Sequence, residues 1–359
     1  MTGLAVVGTG FGCLTHARAA RGAGLDVVAL VGRNRNKTGA RAQRSEIPHA
    51  CSSIDDALRL ANVDAVAIVT PPHTHAALAQ TAIAAGKHVV CEKPFTRDVA
   101  EARALLDAAR RAGIVHVLGA ELRYSPGQAL LTKVVRGGAI GTPRLATFLL
   151  HIPVLADENS AVPDWWADAD AGGGWLGAHA PHVIDQVRMM LGEMKQVTAC
   201  LPRVVPRQWT AEDAYLVLFE TTDGCTGVMQ ATASDRGSML FVTRVIGSEG
   251  TAWAEGDRVQ VATAEGTSDI AMPSELCVAA PLPPPSDLIV TAYDQLHSFG
   301  IDYGPYTRLY EHFAARIIGV EPPVGPAPAT FADGVANMAV LDAIRTSAAA
   351  GGRTVDVTV

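Results

Sequence analysis

Short apolar runs alternate with stretches of helical composition through the first third of the chain, and this alternation constrains the fold more than any other feature. Five runs have the length of a buried strand: residues 4–7, 27–31, 65–69, 89–91 and 115–118. A strand, a helix and another strand joined by short connections require parallel pairing through right-handed crossovers. The pattern therefore predicts an α/β domain built on a doubly wound parallel sheet.

The pattern changes after about Glu121. Residues 126–136 and 179–191 have helical spacing, and residues 197–262 hold successive short runs in hairpin order, which predicts an antiparallel sheet. A chain of 359 residues is expected to form two domains. We place them at residues 1–122 and 123–359, with a C-terminal helix over residues 331–350 that packs back near the first domain.

Composition excludes several classes of protein. The net charge is −7 and no basic patch is present, which argues against a nucleic-acid partner. No run approaches the ~18–20 apolar residues of a membrane span, and the N-terminus lacks the features of a signal peptide, so we expect no membrane partner and a cytoplasmic location. The six cysteines are scattered without a C-x-x-C pair, which predicts neither a disulfide framework nor a metal site.

A glycine-rich segment follows the first apolar run and precedes the first helix. It contains Gly8, Gly10, Phe11 and Gly12, and its third fingerprint position is Cys13 instead of glycine. In this context Gly8 permits a tight turn, and Gly10 lets the backbone approach a pyrophosphate at the helix N-terminus. The segment predicts binding of a dinucleotide, whereas a strand-to-helix turn without a ligand is the alternative.

The end of the second strand distinguishes the two nicotinamide coenzymes. An acidic residue there would hold the ribose 2′-hydroxyl of NAD, but residues 31–37 contain no carboxylate. Arg33, next to Asn34, could meet the 2′-phosphate of NADP with a planar fork of donors. We therefore favour NADP over NAD. The alternative is that these residues only begin a solvated helix.

Two further segments end strands at the edge of the sheet where ligands bind in such folds. Thr70, Pro71 and His75 follow the third run, and Glu92 and Lys93 follow the fourth. A lysine at this edge could exchange a proton with a carbinol oxygen while hydride moves to or from nicotinamide. A surface lysine without such a role is the alternative.

Together these segments resemble the Gfo/Idh/MocA oxidoreductases, which are named for glucose–fructose oxidoreductase and inositol dehydrogenase. The resemblance rests on residues 8–10, 70–75, 85–94, 172–176, 182–185 and 331–334. It implies a Rossmann domain followed by an α/β domain with a large open, mainly antiparallel sheet. It also implies NAD(P), a sugar, cyclitol or related polyol as substrate, and a homodimer or homotetramer.

The resemblance assigns catalysis to Lys93 and His182. Many members carry an aspartate four residues before that histidine, where this chain has Ala178. His179 either takes part of that role or is a loop histidine without one, and Asp185 either orients the imidazole of His182 or bonds neighbouring backbone.

Weaker candidates complete the predicted substrate site. Arg123, Tyr124 and Trp165 are expected to contact substrate together with Lys93, His179 and His182. Glu121, His151, Asp164 and Trp166 are further polar or aromatic candidates.

The predicted function is an NAD(P)-dependent oxidoreductase acting on CH–OH groups. Two alternatives remain open at this point. One is a redox-neutral lyase or glycosidase that uses tightly bound NAD through a transient keto-sugar. The other is a non-catalytic NADP-binding regulatory protein, which the alanine at position 178 suggests.

Overall fold

The computed structural model describes residues 1–359 and shows two compact units. The first comprises Met1–Glu121 and Val278–Val335, and the second comprises Leu122–Cys277 and Ala336–Val359. The division after Glu121 lies one residue from the predicted boundary. Residues 278–335 group with the first unit, whereas the sequence pattern assigns them to the second domain.

The first unit contains a six-stranded parallel sheet in the order β3-β2-β1-β4-β5-β6. Its strands are β1 (Gly3–Val7), β2 (Asp26–Val31), β3 (His49–Cys51), β4 (Ala65–Ile68), β5 (His88–Glu92) and β6 (His116–Gly119). The central strands are apolar along their whole length because helices cover both faces of such a sheet. This is the doubly wound order that the alternation predicts.

The second unit contains a nine-stranded sheet in the order β14-β13-β12-β11-β7-β10-β9-β8-β15. Its strands are β7 (Pro143–His151), β8 (Met194–Cys200), β9 (Ala214–Thr221), β10 (Thr226–Thr232), β11 (Leu240–Gly247), β12 (Gly250–Glu255), β13 (Arg258–Thr263), β14 (Gly266–Ile270) and β15 (Val355–Asp356). All neighbouring strands pair antiparallel except β7 and β10, which run parallel. The predicted mainly antiparallel sheet is confirmed.

Ten α-helices accompany the sheets. They are α1 (Ala17–Gly22), α2 (Arg35–Arg44), α3 (Ile54–Leu58), α4 (His75–Ala84), α5 (Val99–Ala112), α6 (Pro126–Arg136), α7 (Gly174–Leu191), α8 (Ala292–Gln295), α9 (Tyr303–Ile318) and α10 (Phe331–Ala349). A π-helical turn, Gly12–His16, leads into α1. None of these helices combines the length and apolar character that a membrane span requires.

Three of the differences from the sequence prediction concern β3, residues 252–262 and α7. The short strand β3 is mostly exposed and contains no apolar run that would predict it. Residues 252–262 form two strands instead of one, because Gly256 has φ +60° and turns the chain back. Helix α7 begins at Gly174 instead of residue 179, so His179 lies on a helix and not in a loop.

Candidate active site

The glycine-rich turn after β1 contains three glycines, and the absence of a side chain matters for a different reason at each of them. Gly8 has φ +127°, and a Cβ there would lie 2.1 Å from the carbonyl oxygen of Val69. A Cβ on Gly12 would lie 2.8 Å from Cγ1 of Val6, whereas a Cβ on Gly10 would meet no atom within 4 Å. The open side at Gly10 fits the close approach of a diphosphate. Gly12 therefore permits the close helix–strand packing that is expected of a glycine at the third fingerprint position, which is Cys13 in this chain.

The Phe11 ring lies inside the first unit. It stacks on His297 with ring centroids 4.1 Å apart and meets His16 edge-on at 5.0 Å. The ring is 6% exposed. The backbone of the turn, and not this ring, is therefore the part of Phe11 suited to a coenzyme contact.

The end of β2 presents side chains without a carboxylate, as the sequence indicates. Asn34 caps α2, since its Oδ1 accepts a hydrogen bond from the Lys37 backbone N–H at 3.0 Å. Arg33 is exposed beside it. The carbonyl of Thr9, in the glycine-rich turn, accepts a hydrogen bond from Arg41 of α2. The turn and the start of α2 are thus held together, and Arg33 projects from their edge.

His75 connects two of the predicted coenzyme-binding segments. Its Nε2 lies 2.7 Å from the carbonyl oxygen of Thr70, and its Nδ1 lies 3.0 Å from that of Pro94. Burial lowers the pKa of His75, and the carbonyl contacts only partly oppose this. The ring therefore ties the segment of Thr70 and Pro71 to the turn at Lys93, whose peptide bond to Pro94 is cis. This is a tethering contact within the protein.

Glu92 lies at the centre of a buried polar network that sequence reasoning missed. Its Oε1 accepts a hydrogen bond from the Tyr306 hydroxyl and lies 3.2 Å from Nε2 of His16. Its Oε2 accepts the backbone N–H of Lys93 at 3.2 Å, and the Tyr310 hydroxyl lies 2.7 Å from Nδ1 of His16. Burial opposes ionisation of Glu92, but His16, Lys93 and Tyr306 together bring its pKa below the usual value.

Lys93 interacts with a second buried carboxyl group, that of Glu121. Burial raises the pKa of Glu121 well above its ordinary value, the positive charge of Lys93 opposes this, and the negative charge of Glu92 adds to it. The half-buried Lys93 side chain therefore lies close enough to two buried carboxyl groups to influence the pKa of both. A lysine at the carboxyl edge of the sheet is suited to orienting a substrate and exchanging a proton.

In the second unit, α7 carries both histidines of the predicted site. His182 is buried, and its ring centroid lies 6.4 Å from that of His179. Trp175 stacks on His179 at 5.3 Å with nearly parallel rings, and Nδ1 of His179 lies 2.7 Å from the Tyr215 hydroxyl. Burial raises the pKa of Tyr215 well above its usual value, so this hydroxyl stays neutral. Tyr215 is a further residue that only the fold brings to this helix.

Asp185 and Arg123 form a buried, two-bond ion pair. Nε of Arg123 lies 2.6 Å from Oδ2 of Asp185, and Nη2 lies 2.7 Å from Oδ1. The sequence predicts a substrate contact for Arg123, and for Asp185 either a role in orienting His182 or a bond to neighbouring backbone. The structure joins the two side chains to each other, because a carboxylate and a guanidinium removed from water stabilise one another.

The two glycines at the start of α7 leave space that a side chain would fill. A Cβ on Gly173 would lie 2.3 Å from the Trp165 carbonyl oxygen, and one on Gly174 would lie 2.2 Å from Oε1 of Glu212. That carboxyl accepts the Leu176 backbone N–H at 2.9 Å and so satisfies one donor of the helix N-terminus. Glu212 is a second residue that the sequence pattern does not reveal.

The remaining candidates differ from one another in burial and in their contacts. Tyr124 and Trp166 are buried, and Trp165 is half-buried on a 3₁₀ turn, Asp164–Ala167, whose first residue is exposed. His151, at the end of β7, lies 3.4 Å from Asp235. No group of three or more His, Cys, Asp and Glu side chains is arranged to hold a metal ion.

Two family models match the chain over most of its length. Residues 2–119 match an oxidoreductase family with an NAD-binding Rossmann fold, and residues 129–253 match the GFO/IDH/MocA C-terminal domain.

Individual relatives are similar over both parts of the chain. Levoglucosan dehydrogenase of Pseudarthrobacter phenanthrenivorans is 29% identical and is aligned over 83% of this chain and 80% of its own length. D-apiose dehydrogenase of Paraburkholderia graminis is 28% identical over 73% of this chain and 70% of its own. A solved levoglucosan dehydrogenase in complex with NADH and levoglucosan has a TM-score of 0.82 at 26% identity, covering 99% of both chains.

Proposed function

The chain belongs to the Gfo/Idh/MocA oxidoreductase family, with its NAD-binding Rossmann fold, and from this premise we propose that it moves hydride between a nicotinamide coenzyme and a secondary alcohol or ketone of a sugar, cyclitol or related polyol. The names of its relatives support this substrate class, since they include dehydrogenases of levoglucosan and apiose and a reductase of 1,5-anhydro-D-fructose. The observation that carries the proposal is the position of Lys93. It follows β5 at the carboxyl edge of the sheet that bears the glycine-rich turn, and its backbone N–H donates to the Glu92 carboxylate.

The residues of the first unit would hold the coenzyme. Gly8 and Gly12 permit the tight turn, Gly10 leaves open space for the diphosphate, and Arg33 with Asn34 would meet the adenosine ribose. When bound, the coenzyme supplies the acceptor or donor of hydride. Because β2 ends without a carboxylate and Arg33 is exposed there, NADP is the favoured coenzyme.

Lys93 exchanges the proton in this proposal. As the neutral amine, its side-chain nitrogen takes the proton of the substrate hydroxyl during oxidation, and as the resulting ammonium it returns the proton during reduction. His182 contacts the reacting hydroxyl and shares this transfer. The protein contributes orientation and electrostatics, and Glu92 holds the backbone of Lys93 by accepting its N–H.

A polyol panel with each coenzyme, followed by change in coenzyme absorbance and by product analysis, tests the function. We expect Lys93→Met to lower kcat/KM by a factor on the order of 10²–10⁴ while coenzyme still binds, and Lys87→Met to serve as the matched control. His182→Asn should lower it too, and the double variant should lose less than the product of the single losses.

The other outcomes are distinguishable. Product formed without net coenzyme reduction would point to a redox-neutral lyase, and coenzyme binding without turnover would point to a regulatory protein. Full activity of Lys93→Met would overturn the assignment of the proton exchange.

Coenzyme preference is tested separately by the ratio of kcat/KM for NADP to that for NAD. Arg33→Ala should lower this ratio about tenfold or more by removing a charged donor to the 2′-phosphate, whereas Lys195→Ala, an exposed cation of the second unit, should leave it unchanged. A wild-type preference for NAD would contradict the NADP proposal.

A homo-oligomer is also proposed, from the outward face of the nine-stranded sheet. Leu145, Leu216, Leu218, Val228 and Ile246 lie on this face and are 37–49% exposed. A contiguous apolar face of this kind usually marks an interface. Light scattering should show a dimer or tetramer that Leu218→Glu weakens, while Leu282→Glu, at a similarly exposed leucine of the first unit, does not. A monomeric wild-type protein would contradict this.

A further inference from the structure

A chain of four buried polar side chains lies beside Lys93, and the proposed function uses only one of them, Glu92. His16, Tyr306 and Tyr310 are each 0% exposed, and Glu92 is 5% exposed. Placing four polar groups out of water is costly unless every donor finds an acceptor. The need to pair donors with acceptors therefore restricts how these four side chains can be oriented.

The contacts within this chain have one consistent direction. The Glu92 carboxylate can only accept a hydrogen bond, so a proton on Nε2 of His16, 3.2 Å from Oε1, lets this ring nitrogen face the carboxylate without repulsion. Nδ1, on the other side of the ring, faces the Tyr310 hydroxyl at 2.7 Å, which can donate to it. With Nε2 towards Glu92 and Nδ1 towards Tyr310, His16 has one defined orientation.

The two inner members of this chain, His16 and Glu92, are attached to the glycine-rich turn and to Lys93. His16 closes the π-helical turn Gly12–His16, which begins within the glycine-rich turn. Glu92 accepts the backbone N–H of Lys93 through its other oxygen, Oε2, at 3.2 Å. One imidazole and one carboxylate thus connect the glycine-rich turn to the lysine.

The surrounding fold leaves room for this connection. On β6, a Cβ at Gly119 would lie 2.0 Å from Oε1 of Glu92, so only a glycine leaves that space for the carboxylate. Phe11 packs its edge against the His16 ring, and Tyr306 tilts over the same ring at 4.4 Å. The imidazole is enclosed by contacts from the turn and from α9.

We propose that His16 is a positioning residue: through Glu92 it fixes the backbone of Lys93 relative to the glycine-rich turn, so that the coenzyme-binding turn and the proton-exchanging side chain keep one arrangement. This inference rests on the proposed role of Lys93. It assigns a purpose to a histidine that contacts neither coenzyme nor substrate in the proposed function.

Kinetics of the full-length enzyme with coenzyme test the proposal. His16→Leu should lower kcat by about ten- to a hundredfold while the coenzyme Kd changes by less than about threefold, because small displacements of a reacting group are costly. His16→Gln, whose amide can donate to Glu92, should restore most of the loss. His49→Leu, at an exposed histidine of β3, is the matched control.

A second readout does not depend on turnover. The rate at which Lys93 is modified by trinitrobenzenesulfonate, measured by peptide mass spectrometry against exposed Lys37, reports its placement. We expect His16→Leu to change this ratio by about threefold or more, and His16→Gln to keep the wild-type value. If His16→Leu does not fold, Tyr310→Phe, which removes only the donor to Nδ1, should produce a smaller change in the same direction.

Unchanged kcat and unchanged Lys93 labelling in a folded His16→Leu protein would overturn the proposal. So would a His16→Gln variant as impaired as His16→Leu, or a loss confined to thermal stability. If Lys93→Met keeps full turnover, the proposed function fails, but the labelling ratio still decides whether His16 positions Lys93.

Discussion

Gly8 and Gly10 lie in the same turn, but only one of them is required by the fold. The φ of Gly8 is +127°, and its nearest neighbour is the Val69 carbonyl. Gly10 has open space where a side chain would project. At the scale of single residues, the first glycine is therefore required by the backbone conformation, and the second leaves open space at the surface of the turn.

The two glycines should respond differently to alanine. We expect Gly8→Ala to lower the free energy of unfolding by about 1–3 kcal/mol, since it combines left-handed φ with a backbone clash. Gly10→Ala should change stability by less than about 0.5 kcal/mol and weaken coenzyme binding about tenfold or more. Denaturant unfolding and coenzyme fluorescence titration measure the two effects. Equal coenzyme affinities of wild type and Gly10→Ala would contradict this reading.

At the scale of elements, α7 is held by contacts that come from distant parts of the second unit. Glu212 satisfies its N-terminus, Tyr215 orients His179, and Arg123 pairs with Asp185 near its middle. Pro181 lies inside the helix and removes one backbone donor, so these side-chain contacts add support where the helix is weakened. The histidines of the proposed site are presented by this supported segment.

The ion pair of Arg123 and Asp185 should be mainly structural. Arg123→Leu is expected to lower the free energy of unfolding by about 3–5 kcal/mol because it leaves a buried carboxylate without its main partner. Replacing both residues by leucine should cost less than Arg123→Leu alone. Urea unfolding of the three variants checks this. A stable Arg123→Leu protein with a greatly raised substrate KM would instead support the substrate contact predicted from the sequence.

At the scale of the whole molecule, the residues of the proposed site belong to two units. The first bears the glycine-rich turn and Lys93, and the second bears α7 with His182. The stability of the first unit also depends on a buried group to which no role in the proposed reaction is given. His312 on α9 is 2% exposed and lies one helical turn from both Arg308 and Arg316.

This histidine should make the protein sensitive to acid. Burial, followed by the charges of Arg308 and Arg316, lowers the pKa of His312 from 6.5 to about 4. Between about pH 6.5 and pH 4, His312 binds a proton in the unfolded chain but not in the folded protein. The free energy of unfolding therefore falls as the pH drops through this range. We expect a loss of about 1–3 kcal/mol over this range that His312→Gln abolishes. Thermal unfolding measured at several pH values checks it, and parallel pH profiles of the two proteins would refute it.

Much of the first unit was predictable from local pattern. Residues 99–112 have helical periodicity, Asp98 caps their start and Gly113 ends them in left-handed conformation, and the structure shows α5 with these bounds. Such signals are local, because caps, turns and apolar runs act on residues only a few positions away. Short polar strands such as β3 and β14 carry no such signal, since pairing with a neighbour and not their own composition makes them strands.

The sequence by itself determined the doubly wound sheet, the glycine-rich turn at its edge and the lysine that follows β5, because each depends on residues adjacent in the chain. Only the tertiary structure decided the partners: His16, Tyr306 and Tyr310 around Glu92, and Arg123 with Asp185. His16 and Tyr310 are separated by 294 positions. Such pairs form because buried polar groups must satisfy one another once folding removes water, and no local pattern records which distant residue will do so.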